Sequence, residues 1–143
     1  MTNKIKVFID TAPFIYFIER NENDTHHHAQ MRQFFDKCYH TDMTLITSVI
    51  TLEEYCVFPY RSGQTEYIDL FMSLLRILSI RILDIDETMA LKAANIRAEY
   101  KYFKSMDAFQ LAAAQTAGCD FFLTNDKQLK QFQGLKCLTL DEI

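Results

Sequence analysis

Ile5-Lys6-Val7-Phe8-Ile9-Asp10-Thr11-Ala12-Pro13 is the stretch on which the fold turns. Residues 5–9 form a short apolar run rich in β-branched side chains, which reads as a strand. Asp10 ends the run, and Pro13 falls where a first helical turn accepts a residue that has no N–H. The order is strand, turn, helix, as in a parallel α/β unit.

The same alternation continues along the chain. Asp24-Thr25 caps a helix to about His40, in which Met31, Phe34, Phe35 and Cys38 make one apolar face. Residues 43–47 read as a second strand. Ser48 opens a helix to about Phe58, Pro59 and Ser62-Gly63 stop it, and a longer apolar helix covers about 64–78. Residues 80–85 return as a strand. Asp86 caps a helix that ends near Tyr102, and Ser105 caps another over 106–116, with Ala108, Leu111, Ala112 and Gln115 on one face and Gly118 as its terminator. Residues 121–124 are a fourth strand, Asn125 caps a short helix to about Phe132, and 136–140 form a final edge strand. The expected fold class is α/β: one domain over 1–143, with a short parallel sheet flanked by helices on both faces.

Composition agrees. A length of 143 residues suits one domain, and 49% hydrophobic with 24% charged residues lies well outside the disordered range. Three Gly and two Pro are too few for the many turns of a β-sandwich or barrel. Fifteen basic against nineteen acidic residues give a net charge of −4, which argues against a generally basic nucleic-acid-coating protein but not against a local basic rim. The longest uncharged stretch, residues 108–119, is 12 residues, short of a membrane span. The N-terminal apolar run is interrupted by Asp10 and lacks a signal-peptide pattern, so a cytoplasmic location is expected. Cys38, Cys56, Cys119 and Cys137 show no C-x-x-C spacing and read as reduced core thiols.

In an open parallel sheet, functional groups gather past the carboxyl ends of the strands, near the point where strand order reverses. The residues at those places are acids: Asp10, the adjacent Glu53 and Glu54, Asp107 and Asp126. Brought together, they would raise one another's pKa unless a cation compensated. Oxygen ligands without His or Cys favour Mg²⁺ or Mn²⁺ over Zn²⁺. Each acid also has a local explanation as a helix cap or first-turn residue, Thr51-Leu52-Glu53-Glu54 being a capping-box pattern. Asp10 fits that explanation least well, because a carboxylate ending a buried strand is costly unless paired or metal-bound.

Four blocks in order, Val7-Phe8-Ile9-Asp10-Thr11-Ala12, Ile46-Thr47-Ser48-Val49-Ile50-Thr51-Leu52-Glu53-Glu54 followed by Pro59, Ser105-Met106-Asp107-Ala108-Phe109-Gln110-Leu111-Ala112-Ala113-Ala114, and Phe122-Leu123-Thr124-Asn125-Asp126, together resemble the PIN domain family, most closely its VapC-like toxins. The resemblance covers nearly the whole chain. It implies a Mg²⁺- or Mn²⁺-dependent endoribonuclease leaving a 5′-phosphate, the toxin of a type II toxin–antitoxin pair, with a small antitoxin protein as partner, RNA as substrate and a homodimer as assembly. It implies Asp10, Glu54, Asp107 and Asp126 as the catalytic, metal-binding acids. Glu54 is preferred over Glu53 because the family's Glu stands five residues before a Pro, here Pro59. Thr11, Thr124 and Asn125 are expected to orient the carboxylates, bound water or a phosphate, with helix capping as the competing role.

Arg61, Arg97, Lys101, Lys104, Lys127 and Lys130 flank the expected site mouth as phosphate contacts, and Phe14, Tyr16, Tyr60, Tyr100 and Tyr102 are candidates to stack on bases. Consecutive His26-His27-His28 point in different directions on a helix and do not chelate together. No Ser-His-Asp or Cys-His frame is present. The competing readings are a non-catalytic PIN-like binding module, an RNA-processing nuclease without a toxin role, and a phospho-acceptor α/β domain. The last would need a paired Asp-Asp near the first strand and a Lys ending a late strand, neither of which is found.

Overall fold

Val7, Phe8 and Ile9 alternate between two separate hydrophobic cores, because successive side chains of a strand point to opposite faces of its sheet. Both faces are therefore covered, as parallel sheets require. The computed structural model describes residues 4–19 and 22–143; parts of the expected 1–143 domain lie outside that range. Strand β1 (Lys6–Ile9) leads into helix α1 (Thr11–Ile18), followed by α2 (Thr25–His40), β2 (Thr44–Ser48), α3 (Val49–Ser62), α4 (Thr65–Ile77), β3 (Arg81–Leu83), α5 (Glu87–Glu99), α6 (Ser105–Thr116), β4 (Phe121–Thr124) and β5 (Lys136–Thr139). Two 3₁₀ segments, Lys127–Gln131 and Leu140–Glu142, complete the described elements.

All strand pairings are parallel, in the order β3-β2-β1-β4-β5. The chain builds outwards from β1 through β2 to β3, then crosses back to place β4 on the other side of β1. Strand order therefore reverses between β1 and β4, where the loops leaving the two carboxyl ends diverge and open a crevice. Asp10 N donates to the Leu123 carbonyl at 2.9 Å, which carries the pairing one residue past the end of β1 and holds Asp10 at that crevice.

On one face, α5 and α6 pack through Met89, Ala93, Ile96, Leu111 and Ala112 against Phe8, Ile46 and Phe122. Phe8 and Phe122 are fully buried and stack at 5.2 Å. The other face carries α1 to α4, with Phe14 at the centre between Phe35 (5.9 Å) and Phe71 (5.3 Å). Burying side chains of this size is worth about 1.5–3 kcal/mol each, so Phe8 and Phe122 stabilise one face of the sheet and the Phe14, Phe35 and Phe71 cluster holds α1, α2 and α4 together on the other.

Three local expectations are corrected. Pro59 does not stop its helix but lies inside α3, buried, and the helix ends at Gly63, whose φ of 70° is left-handed backbone. The cost of the missing proline N–H is one bond, and Gln64 N closes the end by donating to the Pro59 carbonyl at 2.9 Å. Ser105 does not cap α6; the capping position is Lys104, without a side-chain bond, and Ser105 Oγ instead accepts from Arg97 Nη1 at 3.0 Å. Asp126 rather than Asn125 caps the segment after β4, which is a 3₁₀ turn. The four cysteines are free thiols, and burial pushes Cys38 and Cys119 up to about 11 and Cys137 to about 12.

Candidate active site

Asp10 combines two roles that usually exclude one another. It caps α1, with Oδ1 accepting from Thr11 N at 2.9 Å, yet it is only 9% exposed. Its other oxygen, Oδ2, accepts from Thr124 Oγ1 at 2.9 Å. Each oxygen thus keeps lone pairs for a further partner. Burial pushes the Asp10 carboxyl up to about 6; the bonds from Thr11 and Thr124 oppose the rise, and the fields of Asp107 and Glu54 add to it.

Glu54 is on α3, one helical turn after Thr51. Its Oε1 accepts from Thr11 Oγ1 at 2.7 Å, which ties α3 to the residue next to Asp10. The field of Glu54 acts on both Asp10 and Asp107. Asp107 opens α6, half-buried, and its carboxyl is raised by burial and then by Asp126 and Glu54, against a lowering by Lys104. Asp126 is exposed. Its Oδ1 accepts from Gln128 N at 3.0 Å, and its own N–H donates to Thr124 Oγ1 at 3.1 Å. Thr124 therefore links Asp10 to Asp126 through one hydroxyl, and Thr11 links Asp10 to Glu54 through its N–H and hydroxyl.

Four elements thus bring four carboxylates into one electrostatic field at the reversal of strand order. Lys104, exposed, is a basic group that acts on Asp107. As a donor set the residues fit a hard divalent cation, being all oxygen and negatively charged. Among the described residues no three His, Cys, Asp or Glu side chains are gathered tightly enough to grip an ion as they stand.

Other expected residues separate into those that reach the site and those engaged elsewhere. Asn125 does not hold Asp126; its Nδ2 donates to Tyr16 Oη at 2.7 Å and closes the wall between α1 and the loop after β4. Phe14 is core, 0% exposed, and has no face free for a base. Tyr100 stacks on Phe103 at 4.8 Å and its hydroxyl accepts from Gln133 N. Tyr60 and Tyr102, at 68% and 81% exposed, retain open ring faces. Arg61, Arg97, Lys101, Lys104 and Lys127 are all exposed, while Lys130 is paired with Glu142 at 2.7 Å. The three histidines diverge as expected: His26 lies 3.5 Å from Asp141, His27 2.7 Å from Asp24, and His28 3.2 Å from the Tyr16 carbonyl.

Sequence reasoning missed Gln110 and did not connect Thr47, Ser48 and Thr51 to it. Ser48 was expected as a cap, and its Oγ does accept from Ile50 N at 3.1 Å. The available signal was a lone amide within the run Ala108-Phe109-Gln110-Leu111-Ala112, three residues after Asp107.

A PIN domain family model matches residues 7–135. No curated protein matches the chain in sequence. Among solved structures, FitAcB from Neisseria gonorrhoeae is similar at a TM-score of 0.75 and 18% identity, covering 96% of this chain and 99% of that one. A toxin–antitoxin complex from Klebsiella pneumoniae is similar at a TM-score of 0.70 and 22% identity, covering 96% and 99%. Mycobacterium tuberculosis VapC20, a Sarcin-Ricin loop cleaving toxin, is similar at a TM-score of 0.67 and 15% identity, covering 91% and 98%. At these identities the likeness is one of fold. With the family match over most of its length, and a parallel sheet whose crevice gathers carboxylates, the chain belongs to the PIN domain family.

Proposed function

We propose that this chain is a Mg²⁺- or Mn²⁺-dependent endoribonuclease, the toxin of a toxin–antitoxin pair. The observation that carries the reading is a buried Asp10 held by Thr11 and Thr124 within the field of Glu54 and Asp107. A site that only needed a helix cap would not keep so costly a group in contact with other acids.

In this reading Asp10 and Asp107 bind the principal cation, and Glu54 and Asp126 bind through water or hold a second ion. A divalent cation, when bound, supplies Lewis acidity and a more acidic water for phosphodiester hydrolysis. Thr124 fixes Oδ2 of Asp10 and the backbone of Asp126, so both carboxylates keep their direction as charge enters the crevice. Thr11 does the same for Asp10 and Glu54. Arg61, Arg97, Lys101, Lys104 and Lys127 contact RNA phosphates, and exposed Tyr60 and Tyr102 stack on unpaired bases.

The antitoxin lays an apolar helix near the crevice and directs a basic side chain towards the acids, where it neutralises them as a cation does. Likeness to the Klebsiella toxin–antitoxin complex supports that partner. Leu70, Met72 and Ile77 of α4 are exposed although Phe71 and Leu75 of the same helix are core, which supports α4 as a homodimer surface. No described helix is long and apolar enough to cross a membrane, and action in the cytosol is part of the reading.

The test is cleavage of a mixed single-stranded RNA pool by the purified, antitoxin-free protein and by Asp10→Asn, with Mg²⁺ or Mn²⁺ against excess chelator. Metal-dependent cutting lost in the folded variant is expected. No cutting by either protein overturns a general ribonuclease. Growth arrest on expression without the antitoxin distinguishes a toxin from a processing nuclease.

A further inference from the structure

Behind the acids lies a second polar cluster, buried and uncharged. Thr47, Ser48 and Thr51 are 0% exposed and Gln110 is 1% exposed. Ser48 Oγ donates to Gln110 Oε1, and Gln110 Nε2 donates to Thr51 Oγ1 at 2.7 Å. Thr51 Oγ1 lies 2.8 Å from Thr47 Oγ1, and Thr47 Oγ1 donates to the Ile9 carbonyl at 2.8 Å.

A hydroxyl has one proton to give, and that sets the direction of the whole chain. The Thr47 proton goes to Ile9, so the proton between Thr47 and Thr51 comes from Thr51. Thr51 then has none left for Gln110 and accepts from it instead. Gln110 must therefore turn its NH₂ to Thr51 and its carbonyl to Ser48. The flipped amide would leave the two threonine oxygens 2.8 Å apart with no proton between them. One arrangement satisfies every contact.

This chain of bonds ends beside three of the four acids. The Ile9 carbonyl belongs to the peptide bond that carries Asp10. Thr51 precedes Glu54 by one turn of α3, and Gln110 follows Asp107 by one turn of α6. Of the fully buried apolar side chains of α6, Ala108, Ala112, Ala113 and Ala114 are small and only Leu111 is large, so the apolar packing alone fixes the register of the helix through few interlocking groups. A buried amide adds to that, since any shift of α6 would orphan polar groups away from water.

We propose that Gln110 is a positioning residue, which locks α6 to β2 and α3 and so sets the spacing of Asp107 and Glu54 about Asp10 for cation binding. The inference rests on the ribonuclease reading. Its test compares wild type with Gln110→Met, which keeps the volume and removes the bonds, and with Thr51→Val, which removes the middle of the chain and serves if Gln110→Met does not fold. Mn²⁺ binding is measured by calorimetry, and kcat and KM on RNA, at a temperature where circular dichroism shows every protein folded.

Mn²⁺ affinity is expected to fall by about ten- to a hundredfold, with kcat falling by a similar factor and KM little changed, the size of effect seen when the support of a ligating group is lost. The double variant is expected to be no worse than the more damaging single one, because both interrupt the same chain. Folded variants with lower melting temperature but unchanged Mn²⁺ affinity and kcat overturn the inference and leave a core amide. A wild type that neither binds Mn²⁺ nor cuts RNA overturns the ribonuclease reading itself, and this inference with it.

Discussion

Two polar clusters lie side by side at the carboxyl edge of the sheet, and their electrostatics are opposite. The Ser48, Gln110, Thr51 and Thr47 chain is neutral, and its donors and acceptors are matched without water. The Asp10, Glu54, Asp107 and Asp126 set is charged and self-repelling, with only part of its lone pairs used. A matched neutral network stabilises a fold and specifies one packing. A buried carboxylate among like charges does the reverse, and at Asp10 the neutral chain of bonds ends on the carbonyl of the preceding residue.

Asp10→Asn gives the largest expected contrast. Cleavage should fall at least about a hundredfold, since losing a ligand exceeds the cost of losing a ligand's support. Folding of the metal-free protein should strengthen. Asp10 rises from 3.8 to about 6 on folding, so the native state holds more protons than the unfolded chain between those values. Stability therefore decreases as pH rises from about 4 to 6, and above that a penalty of about 3 kcal/mol remains, which the amide removes. Chemical denaturation of both proteins at pH 7 and pH 4 checks this: the gain should be present at pH 7 and small at pH 4. Gain at both values would place the repulsion elsewhere.

Glu54→Gln against Glu53→Gln is the next contrast. The first should lose activity by about ten- to a hundredfold because it removes charge at the crevice; the second should stay near wild type. Equal losses would show that the bond from Thr11 is not what selects Glu54.

Thr124→Val should act on both stability and rate, because its hydroxyl serves Asp10 and Asp126 together. A loss of about 1.5–3 kcal/mol is expected at pH 7, the range for a hydrogen bond to a charged group, and less at pH 4, where Asp10 is protonated. Unfolding curves at the two pH values give the comparison. Lys104→Ala should have the smallest effect, raising KM by a small factor and lowering the salt slope of RNA binding by about one phosphate contact. A change in kcat instead of KM would place Lys104 among the acids rather than at the rim.

The strands and the acids at their ends were legible because they rest on local chemistry. Apolar runs stop at Asp10 and Thr124, and helical turns follow each. Less legible was everything whose value depends on a distant neighbour. Pro59 signals a helix end locally, but burial in α3 outweighs one missing bond. Phe14 has the appearance of a stacking platform until Phe35 and Phe71 close on it. Asn125, expected to cap a helix or to hold Asp126 or a phosphate, bonds to Tyr16 of α1.

The sequence by itself determined the parallel α/β alternation, the edge of the sheet where function collects and the acidic character of that edge, because periodicity, capping and charge are properties of neighbouring residues. Tertiary structure alone decided that Glu54 is tied to the Thr11 hydroxyl, how strongly Asp10 is raised, and that a single glutamine ties α6 to β2 and α3. Burial and hydrogen-bond pairing across 43 to 114 residues of chain are set by packing, and no local pattern encodes them.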